Sequence, residues 1–247
     1  MSNPRFLLLA ASATATLVSA ASASPVLIDF GNDDSFRGVS TPSPDADGNF
    51  WTSVWTGDFY SNLPDADGNA TTIDIGFDSS FVGGGSLGSD YFNGPSGATQ
   101  DPAATVYDDG ALGLLGANEA VYDYYSNAGW QLQGLDPSLT YTLTFYGSHK
   151  FNNDNTTRYA TYTDTDFTTV VDSVDLVVGV NSNHNQDQVA VLTNVAPDAS
   201  GIIYFAFTGA NGGNGYLNAM SVAVVPEPAA ATLGLLGLGA MLTRRRA

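Results

Sequence analysis

The chain of 247 residues carries 25 acidic against 7 basic side chains, a formal charge of −18. That balance repels phosphate backbones and anionic lipid headgroups, which excludes a nucleic-acid role. There is no cysteine, so neither a disulfide nor a thiolate metal site is available.

Arg5 opens a short positive region, residues 6–18 are mostly apolar, and Ala21-Ser-Ala23 fits the small-residue cleavage rule. Residues 1–23 are therefore expected to be a secretory signal peptide. A short strand follows at residues 26–30, ended by Gly31 and Asn32. Strand composition recurs at residues 50–56, 71–77, 129–135, 140–147, 158–163, 173–180, 188–195, 201–208 and 216–225, most of it alternating apolar with polar. Turn formers separate these runs, and 23 Asp against 2 Glu suits a loop-rich chain, because Asp favours turns over helix interiors. Residues 119–126 are the one expected helix. The last two runs flank the polar loop Ala210-Asn-Gly-Gly-Asn-Gly215, where the fold is expected to close. About ten strands within residues 24–225 predict one all-β domain, an antiparallel jelly-roll β-sandwich.

The hexapeptide Pro44-Asp-Ala-Asp-Gly-Asn49 recurs letter for letter as Pro64-Asp-Ala-Asp-Gly-Asn69. Asp-Gly is a preferred turn dipeptide and Pro fixes φ, so a pair of β-turns accounts for the repeat. Carboxylates spaced by one residue beside Gly and Asn also resemble the start of a calcium loop, although the distal bidentate Glu is missing. On that reading Asp45, Asp47, Asn49, Asp65, Asp67 and Asn69 would share one calcium ion. The loops would meet if residues 50–56 paired with residues 71–77.

Gly84-Gly-Ser-Leu-Gly88 matches a nucleophile-elbow pattern around Ser86, but it lies in a glycine-rich run with no helix after it, which favours a plain loop. The two histidines, His149 and His184, would need borrowed carboxylates to hold zinc. No pair of Asp residues is marked out as a glycosidase couple. The chain is accordingly expected not to be an enzyme and to need no cofactor beyond the calcium considered above. Sugar binding uses aromatic plates with planar polar groups, which Trp51, Trp55, Tyr60, Trp130, Asn152 and Arg158 offer. The competing reading places these aromatics in the core.

At the C-terminus Pro226-Glu-Pro228 precedes an apolar run over residues 229–242 and then Arg244-Arg245-Arg246. This order resembles a PEP-CTERM sorting signal, the family also called the ice-binding protein C-terminal domain. The resemblance implies export in a Gram-negative-type bacterium that makes exopolysaccharide, and processing of the tail over residues 226–247 by an exosortase-like enzyme. It also implies a transient inner-membrane anchor, with the arginines cytoplasmic by the positive-inside rule and an apolar run short for a core of about 30 Å. In the body, Ile28-Asp-Phe-Gly31, residues 133–146, Pro197-Asp-Ala-Ser-Gly201 and Gly215-Tyr-Leu-Asn218 resemble exported bodies of the galactose-binding-like kind. That resemblance implies a sandwich and assigns no functional residue. The expected role is a cell-surface or matrix protein that binds extracellular polysaccharide. The alternatives are a structural matrix protein without a small ligand and a secreted glycan-active hydrolase.

Overall fold

The computed structural model describes residues 23–31, 40–55, 58–78, 109–117, 119–121, 124–149, 155–180 and 183–226. Within them the strands are β1 (Val26–Asp29), β2 (Thr52–Ser53), β3 (Phe59–Tyr60), β4 (Asp74–Asp78), β5 (Tyr125–Ser126), β6 (Ala128–Gln133), β7 (Tyr141–Tyr146), β8 (Asn155–Tyr162), β9 (Val170–Val180), β10 (Asn183–His184), β11 (Ala190–Val195), β12 (Ile203–Gly209), β13 (Tyr216–Leu217) and β14 (Ala219–Val224). Five form one sheet in the order β11-β7-β14-β1-β2, seven form a second in the order β10-β9-β8-β12-β6-β4-β3, and β13 pairs with β5. All these pairings are antiparallel except β1 with β2.

Alternation in β7 shows why the sheets pack together. Tyr141, Leu143 and Phe145 are buried while Thr142 and Thr144 are partly exposed, the period of two that puts one face of a strand into a core. Ile28, Leu143, Phe145 and Val222 of the five-stranded sheet share a cluster with Trp130, Tyr159, Phe205 and Phe207 of the seven-stranded sheet. The Phe145 and Tyr159 rings stack at 4.7 Å across it. The result is a sandwich-like all-β body.

A second apolar cluster lies on the other face of the five-stranded sheet. Leu27, Tyr146 and Ala219 meet Trp51, Ala66, Leu112, Leu115, Ala120 and Val121 there. Several of these come from helix α1 (Asp109–Leu112) and the 3-10 turns Gly113–Leu115 and Glu119–Val121. The carboxyl of Asp29 is sealed on the same side. Its Oδ2 accepts from Thr41 N (2.9 Å), Thr41 Oγ1 (2.9 Å) and Ser53 Oγ (2.7 Å), fastening two later segments to β1.

Two expectations need correction. Residues 119–126 do not form a helix, because the 3-10 turn gives way to β5, whose buried Tyr125 pairs with Leu217. Of residues 50–55 only Thr52–Ser53 form a strand, because the amides of Phe50, Trp51 and Trp55 bond outside the ladder; Thr56 lies outside the described residues. Phe50 N donates to Ala66 O, Trp51 N to Ser43 Oγ and Trp55 N to the Tyr60 hydroxyl oxygen, whereas Val54 N donates to Asp29 O within the short parallel pairing with β1. The runs at 201–208 and 216–225 do form strands, β12 from the first and β13 and β14 from the second, and β12 and β14 lie in different sheets. No helix among the described residues is long and apolar enough to cross a membrane, and the expected signal peptide through Ser22 and the tail from Glu227 onward lie outside them.

Candidate functional site

The duplicated hexapeptides fold as turns with the same hydrogen bonds. In the first, Asp45 N donates to Asn49 O (2.8 Å) and Gly48 N to Asp45 O (3.1 Å), while Asp45 Oδ1 accepts from the amides of Asp47 and Asn49. In the second, Asp65, Asp67, Gly68 and Asn69 repeat every one of these bonds. The glycines supply the left-handed residue, at φ 90° for Gly48 and 85° for Gly68, as a three-residue hairpin loop requires. Pro197-Asp-Ala-Ser-Gly201 makes the turn a third time. Asp198 Oδ1 takes the Ser200 and Ile202 amides, and Gly201 sits at φ 77°. Because that copy carries Ser where the others carry Asp47 or Asp67, the pattern encodes a turn without needing the second carboxylate.

The second acidic turn meets Phe50, the residue that follows the first, although β4 pairs with β3 and β6 and not with β2. Phe50 N bonds to Ala66 O, and the Phe50 ring covers Gly68 so closely that a Cβ there would lie 2.8 Å from it. Even so, no group of three or more His, Asp or Glu placed to hold a metal ion occurs among the described residues. Burial raises the Asp45 carboxyl, but the Trp51 indole N–H (2.8 Å) and the Asn49 and Asp47 donors outweigh it and hold the group below the usual carboxylate range. Replacing Asp45 by Ala should therefore cost about 2 kcal/mol in chemical denaturation, as several hydrogen bonds of about 1 kcal/mol are lost, while Asp47→Ala should change stability by less than about 0.5 kcal/mol. Equal losses would point back to a shared ion.

The expected sugar platform does not assemble. As a correction, Trp51 and Trp130 belong to the cores, at 3% and 0% exposure, so neither presents a ring face to solvent. Trp55 and Tyr60 are brought together, half-buried against the main cluster. Arg158 is exposed and paired with Asp175 through Nε (2.8 Å) and Nη2 (2.9 Å), an exchange of little energetic weight at the surface. Asn152 and Ser86 lie outside the described residues.

A different aromatic pair lies at one end of the body. Tyr204 on β12 and Tyr162 on β8 are direct cross-strand partners, on the opposite face of the strand from buried Ile203, Phe205 and Phe207. They continue a row across six strands, Phe59–Gly76–Gln131–Tyr204–Tyr162–Val170. At about 4.8 Å per strand the row runs roughly 24 Å. Phe59 is 53% exposed, and its ring lies over Gly76, where a Cβ would come within 2.9 Å of it.

Beside the two tyrosines opens a cleft of about 480 Å³, within the size of small-ligand sites. One wall is Thr163 after β8 with Val171 and Asp172 at the start of β9, and the other is Asn194 near the end of β11 with Pro197 and Asp198 of the β11–β12 crossover. Local chemistry fixes both walls. The Phe167 ring meets Tyr162 edge-on at 5.3 Å. A bulge in β11 between Leu192 and Val195 accompanies the exposed Asn194 at φ 59°, a device that re-aims a side chain next to a site. Thr161, the cross-strand partner of Asp172, also lines the cleft, and its Oγ1 is buried with no hydrogen-bond partner.

At the opposite end of β7 the buried imidazole of His149 stacks on Tyr216 at 3.9 Å. Burial, with a smaller contribution from His184, pushes it down to about 4, so it is a neutral packing group at physiological pH. The chain matches no protein-family model and no curated protein.

Proposed function

We propose that this chain is an exported, non-enzymatic glycan-binding protein of the cell surface or extracellular matrix, with a galactose-binding-like jelly-roll body. The observation that carries the binding half is the Tyr162–Tyr204 pair, side by side on adjacent strands at the mouth of a cleft edged by amide, hydroxyl and carboxylate groups. Sugars stack their apolar C–H faces on aromatic rings and satisfy their hydroxyls with such polar groups. The row from Phe59 to Val170 would support a linear chain laid across the strands.

The export half rests on sequence. The signal-peptide pattern over residues 1–23, Pro226-Glu227-Pro228, the apolar run and Arg244 to Arg246 together support sorting by an exosortase-like enzyme through a transient inner-membrane anchor. A chain ending at Val225 should leave the cell envelope and collect in the medium. Unchanged fractionation would remove the tail as the address. Binding is tested separately on a glycan array, where saturable retention of the full chain should fall at least tenfold in Tyr162→Ala with Tyr204→Ala. Retention on no glycan at all would favour a structural matrix protein.

A further inference from the structure

Building on that reading, we infer that the cleft beside Tyr162 and Tyr204 recognises glycans bearing free amino groups, that is, polymers or oligomers of hexosamine in the ammonium form. The cleft lining contains two carboxylates, Asp172 and Asp198, and no Lys, Arg or His. Each carboxylate is held by nearby backbone: within β9, Asp172 Oδ1 accepts the Ser173 amide at 2.7 Å, and in its turn Asp198 Oδ1 accepts the Ser200 and Ile202 amides at 2.8 and 2.9 Å. One oxygen of each is thus engaged by backbone amides, and no hydrogen bond to the other occurs among the described residues. An ammonium group held between fixed carboxylates gains from charge-assisted hydrogen bonds, while the sugar ring that carries it reaches the neighbouring tyrosines.

Two further observations point the same way. The buried Thr161 Oγ1 has no partner, and an unpaired buried hydroxyl beside a cleft marks a place for a polar group. The formal charge of −18 concentrates cations around the body and disfavours uronate or sulfate polymers. Arg158, on the same sheet face, does not reverse this, because its guanidinium is engaged by Asp175.

The test is calorimetric titration of the full-length chain at pH 6 with three hexasaccharides: glucosamine, N-acetylglucosamine and galacturonate. The glucosamine oligomer should bind at least tenfold more tightly than the acetylated one, and the galacturonate oligomer should not bind. Asp172→Asn with Asp198→Asn should weaken glucosamine binding at least tenfold, while Asp47→Asn with Asp67→Asn, which removes the same charge from exposed turn positions, should change it less than twofold. Equal weakening by the two double variants would mean diffuse attraction to an acidic surface and would overturn the inference. Equal or tighter tyrosine-dependent binding of the acetylated oligomer would also overturn it while leaving glycan binding in place. Binding of none of the three would count against the inference and the broader reading together.

Discussion

Leu143→Asp should abolish the cooperative unfolding transition of the body. Leu143 is fully buried and sits midway along β7, opposite Leu192 of β11 on one side and Val222 of β14 on the other. A carboxylate there has no partner, and its burial costs several kcal/mol, comparable with the total stability of about 5–15 kcal/mol typical of a domain. Thr142→Asp, one residue earlier and on the opposite face, should shift the midpoint by less than about 1 kcal/mol. Differential scanning calorimetry of both variants distinguishes them. Similar behaviour would mean that the register of β7 is wrong by one residue.

Asp29→Asn should stabilise the protein at alkaline pH and change its pH dependence. Burial, opposed by the Ser53 and Thr41 hydrogen bonds and aided by the nearby charge of Glu119, pushes the Asp29 carboxyl up to about 7. In the unfolded chain the same group titrates near 4. The folded state therefore holds a proton that the unfolded state has released, and stability falls as pH rises from about 4 through about 7. The displacement corresponds to about 4 kcal/mol. His149 acts in the opposite sense: lowered to about 4, it contributes stability at neutral pH that is lost as the medium acidifies below about 6.5. The wild-type profile is flattened by this opposition, and the variant isolates Asp29. The stability of Asp29→Asn minus that of wild type, from urea titrations at pH 4, 5.5, 7 and 8, should grow by several kcal/mol. A constant difference would mean that the carboxyl is ionised in the fold throughout.

How far the sequence speaks for itself depends on the length over which a feature is encoded. The run from Tyr141 to Tyr146 alternates within six residues, and the strand appears where alternation puts it. The repeated turns are equally local, and the third copy at Pro197 was open to the same reading. Sheet membership is not local. Residues 201–225 read as a strand, a loop and a strand, and so they are, but whether that loop turns back or crosses to the other sheet depends on β6 and β7, which flank β12 and β14. The tryptophans show the same limit. Trp130 and Tyr204 are both aromatic members of strands, and one is buried because its neighbours across the sandwich cover it, while the other lies on the far face of β12. Tyr204 was legible as the odd residue out in Ile203-Tyr-Phe-Ala-Phe207, since buried Ile, Phe and Phe share one face. Its pairing with Tyr162 required the β8–β12 register, which no local pattern carries.

Glycan binding where Tyr162 and Tyr204 stand together would be visible in chemical-shift mapping of the full-length chain. Amide and side-chain resonances would be followed while neutral, amino and uronic hexasaccharides are titrated in turn. Saturable shifts should concentrate in residues 161–163, 171–172, 194–198 and 202–204, and should vanish in Tyr162→Ala with Tyr204→Ala. Shifts that gather instead around His149 and Tyr216 at the other end of the body, or that persist in the double variant, would contradict glycan binding at the two tyrosines.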